Sequence, residues 1–157
     1  MNILLSLDPG VTTGYCLARM VDGPVCELAY SEAQISPADL LLMLQDIQPR
    51  AIVYEDFKYR NKSRAGLVLF SVELIGIVKA YGTLNPDCFI KTQQPSEAMG
   101  HFSDAKLKRN NLYARGLVHG RDAARHMLHF MEFGPGFQYW GKSPTKYRMV
   151  PYASFGA

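Results

Sequence analysis

Three acidic positions carry the chemistry that this chain could perform. Asp8 follows the apolar run Ile3-Leu4-Leu5-Ser6-Leu7 and precedes Pro9-Gly10, then Thr12-Thr13-Gly14. Glu55 ends a second apolar run, Ala51-Ile52-Val53-Tyr54. Asp122 belongs to His119-Gly120-Arg121-Asp122-Ala123-Ala124. A carboxylate at the end of a buried strand is costly to desolvate without a partner, and a metal ion is the usual partner. Asp8 and Glu55 emerge at the same edge of a sheet if their strands are neighbours. His119 lies three residues before Asp122 and shares its helical face. The small residues Ala123 and Ala124 allow that helix to approach the sheet closely. Like charges in close contact raise one another's pKa, so such a cluster calls for cations. Carboxylate oxygens suit Mg²⁺ or Mn²⁺, and a histidine adds affinity for Mn²⁺. Two such ions about 4 Å apart would activate water and stabilise the leaving oxygen of a phosphodiester.

Each site has a plainer reading when taken alone. An Asp before Pro-Gly is a common turn residue. Glu55 could simply be solvated. His119 could cap a helix start, and His126 and His129 could line the polar face of the same helix. The ordered set of three sites, each at the end of a core element, carries more than any one of them.

Basic and aromatic residues follow Glu55 directly. Lys58, Arg60, Lys62 and Arg64 fall within seven residues, interleaved with Phe57, Tyr59 and Asn61. The charges would hold phosphates, and Phe57 or Tyr59 could stack on an unpaired base; the alternative is a solvated loop. Lys106, Lys108, Arg109 and Arg115 form a second basic segment, which could contact a duplex or cover a polar helix face. Phe102 in that region is a second stacking candidate or a core residue.

The elements that must position these groups are legible in the pattern. Residues 2–8, 14–20 and 25–31 read as strands, with Asp22-Gly23 as a hairpin turn. Ser36-Pro37 opens a helix as N-cap and first-turn proline, its apolar positions Leu40, Leu41, Leu44 and Ile47 at helical spacing, and Pro49 ends it. A short strand 51–54 leads to Glu55, and a polar loop covers 56–64. Residues 65–81 form a long apolar helix, 87–92 a fifth strand, 93–116 a polar segment with loop and short helix, and 118–133 the last helix. The expected fold class is α/β, a mixed five-stranded sheet flanked by helices. Residues 1–133 make one domain, followed by a Gly-, Pro- and aromatic-rich tail, 134–157.

Composition narrows the function classes. A chain of 157 residues is long enough for one domain with a real core. No apolar run reaches the roughly 18 residues of a membrane span. No cationic leader with a cleavage site is evident, and Cys16, Cys26 and Cys88 show no paired spacing, so the expected compartment is the cytoplasm, with the cysteines as small core residues. Residues 1–49 hold one basic residue, Arg19, against six acids, a net of −5, whereas the rest holds sixteen basics against eight acids, a net of +8. That asymmetry suits a polyanion-facing side. Residues 136–143 (Gly136-Phe137-Gln138-Tyr139-Trp140-Gly141-Lys142-Ser143) fit the spacing of a phosphate-binding loop, but no strand precedes them, bulky residues fill them and Pro144 leaves no helix to follow. No nucleotide is expected there; the tail would pack on the domain or extend a DNA surface through Lys142, Lys146 and Arg148.

Taken in order, Leu7-Asp8-Pro9-Gly10 with Thr13-Gly14, Val53-Tyr54-Glu55, and His119-Gly120-Arg121-Asp122-Ala123-Ala124 resemble the three acidic blocks of RuvC-type Holliday-junction resolvases, within the RNase H-like superfamily. The resemblance spans roughly residues 2–132 and extends to phage-type members. It implies an RNase H-like fold, a homodimer, and Mg²⁺-dependent paired nicking of four-way DNA junctions, with Mn²⁺ able to substitute. It places Asp8, Glu55, His119 and Asp122 in the metal and catalytic site, His119 either ligating metal or handling protons. It adds Lys106 as a catalytic or phosphate-binding lysine, with Lys108 only two residues away. It implies branched-DNA contacts through Phe57, Lys58, Tyr59, Arg60, Lys62, Arg64, Lys108 and Arg109, and a dimer contact through Leu67, Phe70 and Leu74 of the long helix. Small viral-type resolvases also accept other branched DNA. Two other classes remain: an actin-like ATPase fragment, because Asp8 to Gly14 also resembles the first phosphate loop of that fold, and a junction-binding protein without catalysis.

Overall fold

The computed structural model describes residues 2–21, 23–56 and 65–156. Strands β1 (Ile3–Asp8), β2 (Thr13–Met20) and β3 (Val25–Ala33) form an antiparallel meander. Helix α1 (Pro37–Ile47) leads to β4 (Ala51–Glu55), and α2 (Ala65–Leu84) to β5 (Phe89–Gln93). Short helices α3 (Pro95–His101) and α4 (Asp104–Arg109) precede α5 (Val118–Phe133), and a last strand, β6 (Lys146–Met149), lies in the tail. The sheet order is β5-β4-β1-β2-β3-β6, with β4 parallel to β1, β5 parallel to β4 and β6 parallel to β3.

Local chemistry explains the boundaries. Ser36 caps α1: its hydroxyl accepts from the Asp39 N–H at 3.1 Å while Asp39 accepts from the Ser36 N–H at 3.2 Å, a reciprocal capping box. Gln48 ends the helix in the left-handed region (φ 48), immediately before Pro49. Gly23 takes φ 70 between β2 and β3, which a residue without Cβ adopts freely; Asp22, the other half of the expected turn, lies outside the described residues.

Side-chain alternation sorts the sheet into two faces. Leu5, Leu7, Leu17, Ala29, Ile52 and Tyr54 pack against Leu40 and Leu44 of α1 and Leu74 and Val78 of α2. Leu4, Cys16, Ala18, Leu28, Tyr30, Ala51 and Val53 pack against Ala123, Ala124, Met127 and Phe130 of α5. Helix α5 therefore covers one face and α1 with α2 the other. Cys16, Cys26 and Cys88 are free and buried, the small core residues expected of them. No helix among the described residues is long and apolar enough to cross a membrane.

The expected mixed sheet flanked by helices is present, with one strand more than the sequence signals. β6 comes from the segment expected to be a tail without periodicity; it is only four residues long and pairs with β3 at the sheet edge. Arg148 of β6 is ion-paired with Glu27 of β3, and Glu27 also holds Arg19 at 2.8 Å. The segment with phosphate-loop spacing is a single 3-10 turn (Pro135–Tyr139) followed by a bend, with no strand before it and no helix after. It packs against the start of β1 instead: Trp140 Nε1 donates to the Asn2 carbonyl at 3.0 Å, and Asn2 Nδ2 donates to the Tyr139 carbonyl at 2.6 Å.

Candidate active site

Strand register brings the first two acids together. Leu7 pairs with Tyr54 across the parallel β1–β4 ladder, so Asp8 and Glu55, the next residue on each strand, stand level at the same sheet end. Alternation then places both on the α5 face, in line with Leu4 and Ser6 on β1 and with Ala51 and Val53 on β4. The same register sets Gln93 beside Glu55 on β5, Gly14 beside Asp8 on β2 and Glu32 beside Gly14 on β3. The end of the sheet under α5 is thus a row of polar residues and one glycine.

Helix α5 reaches this row because small residues let it descend. A Cβ on Gly14 would lie 1.9 Å from the His119 carbonyl oxygen, and one on Gly120 would lie 2.9 Å from the Ser31 carbonyl oxygen. The buried Ser6 hydroxyl donates to the Ala123 carbonyl at 2.6 Å, stitching α5 to β1. Glu32 closes the helix start, its Oε2 accepting from the backbone N–H groups of His119 at 2.7 Å and Gly120 at 3.2 Å. An anion suits that end of a helix, where N–H groups lack intrahelical partners.

Each acid has a specific neighbour. Asp8 Oδ2 is 2.9 Å from His119 Nδ1. Glu55 Oε2 is 2.9 Å from His126 Nε2. Asp122 is ion-paired with Arg125, which also pairs with Asp104 of α4 and donates its Nε–H to the Phe102 carbonyl at 2.7 Å. Burial raises the Asp8 carboxyl from an ordinary 3.8 to about 6; the nearby Glu55 charge pushes it further in the same direction, His119 opposes the rise and Asp122 adds to it. Asp8 therefore senses both other acids. Glu55 and Asp122 line one cavity of about 180 Å³, together with His126, Arg125 and residues of α3.

The arrangement corrects one expectation. Among the described residues, no three His, Cys, Asp or Glu side chains are grouped closely enough to hold one ion as they stand. The acids share a neighbourhood and each carboxylate is turned onto its own His or Arg. The donor chemistry still fits a hard divalent cation: Glu55 and Asp122 line one cavity, Asp8 stands level with Glu55 beside His119, and a cation would oppose the burial and the acid charges that raise the Asp8 carboxyl.

The remaining expected site residues are dispersed. Lys106 lies on α4 with its ammonium over the Phe102 ring, 4.3 Å from the centroid, lining a cavity of about 70 Å³ that none of Asp8, Glu55 or Asp122 lines. The structure does not bring it to the acids. Phe102 is 3% exposed and belongs to the core, so it offers no surface wedge. Lys108 and Arg109 are exposed; Lys108 lies over Tyr113, and Arg109 borders an open groove of about 830 Å³ with Lys146 and Arg148. Phe57, Lys58, Tyr59, Arg60, Lys62 and Arg64 lie outside the described residues. On α2, Leu74 is fully buried in its own chain and Phe70 packs partly against the same core, so Leu74 cannot meet a partner; among the described residues of that helix, Leu69 and Val72 near its start and Leu84 at its end expose apolar side chains. The side chain of Leu67 lies outside the described set. Thr13 is buried, its hydroxyl donating to the Gly10 carbonyl at 2.9 Å, so it locks the turn after Asp8.

Sequence reasoning missed Glu32, Gln93 and Arg125, and set His126 on the polar face of its helix, where the structure buries it against Glu55. Only His126 carried a signal, one helical turn beyond Asp122. Gln93 and Glu32 carried none, because their roles come from pairing with distant strands.

No protein-family model and no curated protein matches this chain. Solved structures do. T. thermophilus RuvC in complex with a Holliday junction substrate matches with a TM-score of 0.64 at 16% identity, over 92% of this chain and 99% of that one. The yeast mitochondrial Holliday junction resolvase Ydc2 matches with a TM-score of 0.51 at 14% identity, over 87% of this chain and 78% of that one. The Fowlpox virus resolvase in complex with Holliday junction DNA matches with a TM-score of 0.51 at 14% identity, over 82% and 98%. With acids at the ends of β1 and β4 and in the first turns of α5, the chain shares the fold of these solved resolvase structures.

Proposed function

We propose that this protein is a divalent-metal-dependent endonuclease that resolves four-way DNA junctions by paired nicking as a homodimer. The observation that carries the reading is the level placement of Asp8 and Glu55 on adjacent parallel strands, with Asp122 close enough to act on the Asp8 carboxyl. The junction-bound RuvC and Fowlpox resolvase among its structural neighbours support branched DNA as the substrate.

Asp8, Glu55 and Asp122 would hold the cation, with His119 as a further ligand or a proton carrier beside Asp8. Mg²⁺ or Mn²⁺ held there would supply an activated water at neutral pH and charge stabilisation for the leaving oxygen. The chain's own groups do the positioning. Glu32 fixes the start of α5, Ser6 fixes its height over β1, and Arg125 holds Asp122 in place against Asp104. Exposed Lys108 and Arg109, with the basic run 58–64, would meet phosphates. The exposed α2 face bearing Leu69 and Val72 would form the dimer contact that brings two sites to opposite strands.

The test is cleavage of a labelled four-way junction, and of linear duplex as control, with Mg²⁺, Mn²⁺ or chelator. Symmetric nicks with either metal, lost in Asp8→Asn while junction binding persists, are expected. An Asp8→Asn protein that cuts at the wild-type rate overturns the site; binding of junctions without cutting by the wild type points to the non-catalytic alternative.

A further inference from the structure

Behind Glu55 lies a buried relay that the acids alone do not require. Glu55 Oε2 is 2.9 Å from His126 Nε2, and His126 Nδ1 is 2.8 Å from Gln93 Oε1. His126 is 1% exposed and Gln93 4%, whereas the Glu55 side chain remains 26% open to the cavity it shares with Asp122. We propose that His126, itself held by Gln93, is a positioning residue that fixes the Glu55 carboxylate in the orientation needed to receive a divalent cation. This rests on the nuclease reading given above and names how one of its ligands is set.

Hydrogen-bond inventory dictates the arrangement. A neutral imidazole has one N–H and one lone pair, and a carboxylate only accepts. Glu55 therefore requires a proton on Nε2. Gln93 serves either form of the ring: its Oε1 accepts from Nδ1 where that nitrogen also carries a proton, and a half-turn of the amide brings its nitrogen to donate where it does not. In both forms the contacts from Gln93 through His126 to Glu55 are satisfied without water. The imidazole is buried, so bulk water does not compete for either nitrogen. One Glu55 oxygen is thereby occupied from behind, and the other is free toward the cavity. Outer partners of metal ligands work in this way, holding the ligand before the ion arrives.

The experiment is Mn²⁺ titration of the metal-free full-length protein by calorimetry, with thermal melts alongside, for wild type, Asp8→Asn, His126→Leu, His126→Gln and Gln93→Leu. His126→Leu should weaken Mn²⁺ binding by about 10- to 100-fold, the range seen for outer-shell partners. His126→Gln, whose amide nitrogen falls near the Nε2 position, should recover most of that loss, and Gln93→Leu should show a smaller one. Nitrogen-15 spectra of the metal-free protein should show His126 protonated on Nε2. A folded His126→Leu protein that binds Mn²⁺ as tightly as wild type overturns the proposal, as does an Nε2 that carries no proton. Should His126→Leu fail to fold, equal Mn²⁺ affinity in His126→Gln, Gln93→Leu and wild type overturns it as well. Wild type that binds no Mn²⁺, or Asp8→Asn that binds as well as wild type, removes the metal site itself and this inference with it; binding lost in Asp8→Asn but untouched in the His126 and Gln93 variants removes this inference alone.

Discussion

The Asp8 carboxylate and the His119 imidazole meet at 2.9 Å across 111 residues of sequence. The contact exists because Gly14, level with Asp8 on β2, has no side chain and so lets the His119 backbone rest on the sheet. One glycine on a strand thereby sets the height of a helix carrying two candidate site residues.

Gly14→Ala should therefore break the site from behind. Its Cβ would overlap the His119 carbonyl, a fixed backbone atom, so α5 must lift. Overpacking of this kind costs about 1–3 kcal/mol or more. The expected outcome is a lower melting temperature together with loss of metal-dependent cleavage, checked by thermal denaturation and the junction assay. Unchanged stability would mean that α5 does not pack as described.

Asp8 makes the metal-free protein sensitive to pH. Its folded carboxyl titrates at about 6 against an ordinary 3.8, so between these values the folded state binds more protons than the unfolded state. Stability from this group thus falls as pH rises through that window and stays lower above it. Asp8→Asn should be more stable than wild type at pH 8 in chelator, by about 1–3 kcal/mol, and the gap should close below about pH 4. Melts at the two pH values check this, and Mn²⁺ should raise the melting temperature of wild type at pH 8 but not that of the variant.

The tail is held by charge at the β3–β6 edge. Glu27 is 6% exposed and its carboxyl is lowered, chiefly by the hydrogen bond from Arg148, with Arg19 adding to the effect against the cost of burial. A lowered acid contributes stability that is present above the ordinary value of 4.5 and is lost as pH falls through the folded value. Glu27→Gln should cost about 1–3 kcal/mol at pH 7, the scale of hydrogen bonds to charged groups, with the deficit shrinking in acid. It should also speed proteolysis between residues 134 and 157, read by mass spectrometry of a timed digest.

Assembly should respond to the outer face of α2. Leu69 is 62% exposed and Val72 51%, one helical turn apart. Leu69→Asp with Val72→Asp should leave the melting temperature of the chain nearly unchanged, shift light scattering from dimer to monomer, and convert paired nicking into single nicks. Leu74→Asp, by contrast, should unfold the protein, because that side chain is fully buried among α1, α2 and the sheet.

Much of this could be read in the residues themselves. Strand and helix periodicities are local properties, so β1 to β5, α1, α2 and α5 lie where the apolar pattern places them, to within a few residues at their ends. Asp8 and Glu55 stood out as candidates because each closes a strand, and Asp122 because it lies in the first turns of α5 ahead of two alanines. What only the tertiary structure decided was which groups face one another. The parallel register of β1, β4 and β5 put Gln93 beside Glu55, helix depth set by Gly14 and Gly120 put His119 on Asp8 and His126 on Glu55, and Glu32 came to α5 from another strand altogether. Those neighbours depend on ladder register and on the contact distance between a helix and a sheet, and neither quantity is written in any single segment of the chain. The same limit hid β6, whose four residues become a strand only because the edge of β3 offers unpaired backbone groups and Glu27 offers Arg148 a charge.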